Sequence, residues 1–284
     1  MTTVQSNAKP IIEVRDLFFE YPDGTQALNG ISVKIFKKKI TVLLGPNGSG
    51  KSTLLLTLAG LLKPKKGTIL YKSTPIWKIG NEIRKYIGIV FQNPEDQMLC
   101  PTVYDELTFG LKQLGYEGEK LEKKIREVAE SFHISHLLNK SPHRLSEGEK
   151  RRVILAAMLS LDPETLLLDE PTADLPPLAV DEIKKLIIEL RNKGKTIVIT
   201  THNVDFAAEV ADEVCLISKG KIVAQGDPHE ILTNEELLRE VDLRPPLPFV
   251  IYSLIKDRKS NIRTEKKPIT IEELQRLLLS NLRE

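Results

Sequence analysis

The chain has 284 residues, 41% apolar and 28% charged, with 41 Lys and Arg against 39 Asp and Glu for a formal charge of +2. That length accommodates one large domain with an appendage, or two small ones, and the composition provides for a full-sized core. The charge balance argues against an extended nucleic-acid footprint, and two distant cysteines, Cys100 and Cys215, exclude a disulfide framework and suit a reducing, cytoplasmic setting.

The opening MTTVQSNAKP lacks the basic and apolar regions of a signal peptide and reads as a frayed leader over 1–10. IIEVRDLFF (11–19) and ISVKIF (31–36) alternate as strands do, with the turn-rich YPDGTQALNG (21–30) between them. A short apolar strand, ITVLLG (40–45), then runs through a Gly-rich loop into the helical pattern STLLLTLAGLL (52–62). GTILY (67–71) and YIGIVF (86–91) read as further strands. From about Tyr104 to Asn139 the chain is helical and charge-laced, and strands resume at TLLLD (165–169) and KTIVIT (195–200), separated by a helix over 178–193. EVCLISKGKIVAQG (213–226) predicts a hairpin turning at Lys219-Gly220. PPLPF then opens a C-terminal segment that ends in an amphipathic helix, IEELQRLLLSNL (271–282). No stretch reaches the roughly 18 consecutive apolar residues of a membrane span.

Buried strands alternating with helices predict an α/β fold with a mostly parallel central sheet covered on both faces. The expected organisation is a leader over 1–10, a main domain over 11–240 with a helical subdomain inserted at about 95–160, and an appendage over 241–284.

Three segments carry chemistry. GPNGSGKST (Gly45, Pro46, Asn47, Gly48, Ser49, Gly50, Lys51, Ser52 and Thr53) follows a strand and opens a helix, the context of a phosphate-binding loop. Its backbone N–H groups and the helix N-terminus suit phosphates, Lys51 the β- and γ-phosphates of a nucleotide, and the Ser52 hydroxyl a Mg²⁺ ion. TLLLDEP ends a strand in Asp169, placed for Mg²⁺, and Glu170, placed to polarise an attacking water. Taken alone, such an acidic pair is more often solvated; beside a phosphate loop that reading recedes. His202 and Gln92 each follow a predicted strand, and strand tips at the carboxyl edge of a parallel sheet converge on the ligand. Tyr21 is open between core aromatic and base-stacking ring.

The order GPNGSGKST, Gln92, LSEGE (Leu145, Ser146, Glu147, Gly148 and Glu149), TLLLDEP and His202 resembles the ATP-binding subunit of an ABC transporter over about residues 11–240. FQNPEDQ followed by TVYDELTFG (102–110) is similar to the energy-coupling-factor branch, importers of vitamins and of cobalt or nickel. The resemblance implies a P-loop ATPase with an N-terminal antiparallel β subdomain and ATP and Mg²⁺ as ligands. It implies roles for Tyr21 as adenine-stacking ring, Gln92 as sensor of Mg²⁺ and water, Glu170 as catalytic base and His202 as switch histidine. It further implies a head-to-tail dimer, each site completed by the partner's signature segment. An integral membrane coupling subunit and a separate substrate-binding membrane subunit would be the partners, with the chain peripheral on the inner face of the cell membrane. The alternatives are a low-turnover regulatory subunit and a soluble, non-transport ABC ATPase.

Two departures from the family pattern stand out. The signature, usually close to Leu-Ser-Gly-Gly-Gln, here reads Leu145-Ser146-Glu147-Gly148-Glu149. Ser146 and Glu149 form a capping box in sequence, but Glu147 would oppose the phosphate of the facing subunit, at a cost of roughly 3 kcal/mol for charges about 6 Å apart at an effective dielectric near 20. In the dimer-communication loop, Asp174-Leu175-Pro176 places a proline where the family usually has Asp. An impaired facing site would suit a heterodimer; altered but working segments would suit a homodimer. Glu95, Asp96, Asp105 and Glu106 border the expected membrane-subunit dock and are open between receiving it and being ordinary surface.

Overall fold

The computed structural model describes residues 9–258, 264 and 266–281. Most of the expected leader, residues 1–8, and Leu282 of the last expected helix lie outside the described residues. Pro10, placed in that leader from sequence, pairs with Phe36 at the start of the first strand.

The chain runs β1 (Pro10–Glu20), β2 (Gln26–Phe36), β3 (Ile40–Leu44), α1 (Lys51–Leu58), β4 (Lys66–Tyr71), β5 (Thr74–Pro75), α2 (Ile76–Ile79) and β6 (Ile87–Val90). It continues through α3 (Val103–Gln113), α4 (Gly118–Ser131), α5 (Glu147–Ser160), β7 (Thr165–Asp169), α6 (Pro177–Asn192), β8 (Thr196–Thr201) and α7 (Val204–Val210). The last elements are β9 (Glu213–Ser218), β10 (Lys221–Gly226), α8 (Pro228–Leu232), α9 (Glu235–Glu240), α10 (Leu247–Arg258) and α11 (Ile271–Asn281). Two sheets result. One is antiparallel in the order β2-β1-β4-β5; the other has the order β10-β9-β3-β8-β7-β6, parallel except where the hairpin strand β10 closes its edge.

The apolar runs of β3, β7 and β8 are buried on both faces. Ile40, Val42 and Leu44 join one core with Leu166, Leu168, Ile197 and Ile199, against which Ile183 and Ile187 of α6 and Phe206 of α7 pack. The alternate residues Leu43, Leu167 and Val198 enter a second core with Leu54, Leu55 and Leu58 of α1 and the apolar face of the antiparallel sheet. Each such side chain contributes about 1.5–3 kcal/mol on burial, so a polar substitution at any of them would open the layer it faces.

The segment between β6 and β7 builds its own core. Val103, Leu107 and Leu111 of α3 meet Leu121, Ile125 and Val128 of α4 and Val153 and Ala156 of α5. Leu145, just ahead of α5, is buried in the same cluster. At the C-terminal end Phe249 and Tyr252 of α10 cluster with Leu274 of α11. Contacts that tie these helices to the rest of the chain include the Leu247 N–H donating to Asp205 Oδ1 at 2.8 Å and His229 Nε2 lying 3.0 Å from Glu273 Oε1.

Sequence reading missed five helices, α2, α7, α8, α9 and α10, and the short strand β5, and it shortened another strand. α8 and α9 are each started by a side-chain cap, Asp227 and Asn234, and α10 follows the prolines at 245 and 246. β2 begins at Gln26, so only the first residues of the expected turn form one; Gly30 takes φ 75° inside the strand, at an irregularity in its pairing with β1. Among the described residues, no helix is long and apolar enough to cross a membrane.

Candidate active site

β3, β6, β7 and β8 are parallel, so their carboxyl ends lie along one edge of the sheet. The loop Gly45–Gly50 leaves β3 there, Asp169 ends β7, Glu170 follows it, His202 follows β8, and Gln92 lies two residues past β6. The topology thus gathers side chains far apart in sequence.

The loop is shaped by its glycines. Gly50, ahead of α1, holds φ 100°, and a Cβ there would sit 2.5 Å from the Ala27 carbonyl oxygen. Only glycine fits both the angle and the space. The β9–β10 turn braces the loop from below, where the Gly220 N–H donates to the Ser49 carbonyl at 3.0 Å.

Lys51 is 5% exposed, and its Nζ donates to the carbonyls of Gly45 at 2.8 Å and Pro46 at 3.0 Å. The same Nζ is 3.9 Å from Glu170 Oε1. Burial lowers the pKa of Lys51, while the Glu170 and Asp169 carboxylates pull it back up.

Asp169 and Glu170 are held differently. Asp169 Oδ1 accepts from Ser52 Oγ at 3.1 Å and from the buried Thr200 hydroxyl. Glu170 is 6% exposed and has φ 42°, a left-handed backbone uncommon for a side chain of this kind. Its N–H donates to Thr200 Oγ1 and to the Thr200 carbonyl, both at 3.1 Å. His202 Nδ1 lies 2.9 Å from Glu170 Oε1, with the imidazole half exposed.

Arg151 was not singled out from sequence, yet its guanidinium joins two of these segments. Nη1 donates to the carbonyls of Glu170 at 3.1 Å and Pro171 at 2.5 Å, and Nη2 to the Gln92 carbonyl at 3.0 Å. A cation inside a helix reads as surface, and only the tertiary fold shows this one buried. Gln97 was also missed: it accepts from the Phe91 N–H at 3.1 Å and donates to the Ile89 carbonyl at 2.9 Å, closing the turn after β6. Thr200 left a fainter signal, a hydroxyl at the tip of an otherwise apolar strand.

A cavity of about 550 Å³ opens beside this edge, lined among others by Ser52, Gln92, Asp169, Asp174, Glu147 and Arg151. Tyr21 sits outside that group. Its hydroxyl is 3.0 Å from Thr53 Oγ1 and its ring meets Phe19 edge to face at 4.9 Å, which places it against the start of α1.

Around Ser146 the capping box is complete. Ser146 accepts from the Glu149 N–H at 3.4 Å, and Glu149 Oε2 accepts from the Ser146 N–H and hydroxyl, each at 2.8 Å. The Ser146 N–H, before its hydroxyl, lowers the Glu149 pKa. Gly148 has open space where a Cβ would stand, so nothing among the described residues requires glycine there. Asp174 takes φ 59°, Leu175 packs on the main core, and Pro176 is the N-cap of α6 with Pro177 in its first turn. Both prolines suit a helix start, where no N–H donor is needed. The acids after Gln92 are largely engaged within the chain: Glu95 pairs with Lys150, Asp105 with the Thr102 cap, and Glu106 accepts from the N–H groups of Leu99 and Cys100.

The sequence profile of the ABC transporter family matches residues 28–173. An energy-coupling factor transporter ATP-binding protein, EcfA, of Methanocaldococcus jannaschii is 44% identical, covering 96% of this chain and 99% of that protein. An EcfA of Methanococcus maripaludis is 42% identical, covering 89% and 92%. The solved structure of CbiO1 from Clostridium perfringens, described as part of the ABC transporter complex CbiONQ, superposes with a TM-score of 0.73 at 38% identity, covering 87% of this chain and 99% of that one. With a phosphate loop, an acidic strand tip and a capped signature helix on this fold, the chain belongs to the ATP-binding subunits of ABC transporters, in the energy-coupling-factor group.

Proposed function

We propose that the chain binds ATP on the Gly45–Thr53 loop and hydrolyses it within a dimer, powering a membrane importer of energy-coupling-factor type for a vitamin or a transition-metal ion. The observation that carries the chemistry is the convergence of Lys51, Asp169, Glu170 and His202 at one sheet edge, with Glu170 within 3.9 Å of Lys51 and 2.9 Å of His202.

In this reading Lys51 exchanges the loop's own carbonyls for the β- and γ-phosphates, and loop N–H groups supply the remaining donors. Glu170 polarises the attacking water. A neutral imidazole has one N–H, here committed to Glu170. Donation from His202 to the γ-phosphate therefore requires either the imidazolium or release of Glu170, and release leaves the carboxylate free for water. Ser52 and Asp169 form a hard oxygen set suited to Mg²⁺, with the Gln92 side chain beside the same cavity. When bound, the ion would neutralise charge on the phosphates. Tyr21 would lie against the adenine. LSEGE and Asp174-Leu175-Pro176 would face the site of a second ABC ATPase. An integral membrane coupling subunit and a separate substrate-binding membrane subunit would complete the complex, with this chain on the inner face of the membrane.

Steady-state ATPase of the full chain, with and without Glu170→Gln, tests the assignment. The variant should lose about 10²–10⁴-fold in kcat while still binding ATP. Turnover that survives Glu170→Gln would remove Glu170 from the chemistry.

A further inference from the structure

Glu147 occupies the first turn of α5, where side chains lean toward the helix N-terminus. Unpaired, its carboxylate would oppose a phosphate arriving at that end. The next turn of the same helix answers it. Lys150 Nζ donates to Glu147 Oε1 at 2.8 Å and to Glu95 Oε1 at 2.5 Å. The Lys150 side chain is 8% exposed, while those of Glu147 and Glu95 are 60% and 55% exposed. The ammonium is the buried fixture, and the two carboxylates come to it from solvent.

Neighbouring groups hydrogen-bond elsewhere, although the Arg151 charge also acts on Glu147. Glu149 belongs to the capping box, and the Nη donors of Arg151 go to the three carbonyls of Gln92, Glu170 and Pro171. Hydrogen bonds to Glu147 and then Glu95 hold the Lys150 pKa above its usual value, so the ammonium stays charged.

We infer that Lys150 is a positioning residue for hydrolysis at the facing site: it draws Glu147 back along α5 and offsets its charge, so that the N–H groups of LSEGE remain available to the phosphate bound by the second subunit. This rests on the dimeric ATPase reading above. It makes Glu147 a compensated feature of a working signature and favours a homodimer over a heterodimer with one impaired site.

Four full-length chains test it: the unaltered protein, Lys150→Met, Glu147→Gly and the double variant, compared by kcat, KM and thermal midpoint. Lys150→Met should lower kcat by about tenfold, the scale of one partly screened charge at ion-pair distance, and the loss should shrink from ~50 to ~500 mM salt. Adding Glu147→Gly should restore most of the rate, since no carboxylate is left to compensate. Equal losses with and without Glu147 would show a packing role and overturn the proposal, as would an unchanged rate in Lys150→Met. The same set carrying Glu170→Gln is scored for ATP-dependent dimerisation by light scattering, where the same pattern is expected without turnover. Absence of both turnover and ATP-dependent dimers in the unaltered protein would overturn the ATPase reading itself, and the proposal with it.

Discussion

The phosphate loop and the signature segment sit on one chain but are finished to different degrees. The Lys51, Asp169 and Glu170 side chains are buried and held by partners within the chain. Around Glu147 and Gly148 the helix end is solvent-facing, with a glycine whose missing side chain nothing among the described residues explains. Buried, reciprocally bonded groups describe a site set up by its own fold. An exposed helix end with an unexplained glycine fits the dimer proposed above, in which its constraint would lie in another molecule.

Three substitutions break or sharpen this contrast. Gly50→Ala should have the largest effect, because a Cβ meets the Ala27 carbonyl at 2.5 Å on a backbone with φ 100°. A loss of about 2 kcal/mol or more, read as a lower thermal midpoint together with weakened ATP binding, is expected. Ser146→Ala should cost about 1 kcal/mol through the lost cap, with ATP binding by the isolated chain unchanged. Gly148→Ala should leave stability equal or raise it by up to about 1 kcal/mol, because alanine suits a helix better and the space is open. Its expected penalty is in turnover. If Gly148→Ala destabilised the isolated chain as Gly50→Ala does, the two regions would not differ in the way described.

Sequence made the strands and the loop legible for a physical reason. Runs such as ITVLL, TLLLD and TIVITT are apolar on both faces because both faces are covered, and the loop motif is contiguous. The capping box was readable because it is a local contact over three residues. What stayed hidden depends on distant partners. Arg151 looks like any helix cation until the carbonyls of Gln92, Glu170 and Pro171 are brought to it. Lys150 and Glu95 lie 55 positions apart, so their pairing, and the changed meaning it gives Glu147, has no trace in local pattern. Capped helices as short as α8 and α9 carry too few turns for periodicity to register.

The strand order has a consequence in time. β3, which delivers the phosphate loop, is sandwiched between β8 and β9, so both neighbours that fix it come from beyond residue 195. Long-range parallel pairing of this kind is slow to form, because loop closure precedes any gain from contact. During synthesis at about 5–20 residues per second, the loop waits many seconds, with the helical insertion made in between, before its strand has neighbours. A nascent chain ending before Thr196 carries the whole Gly45–Thr53 loop and neither of the strands that hold β3 in place.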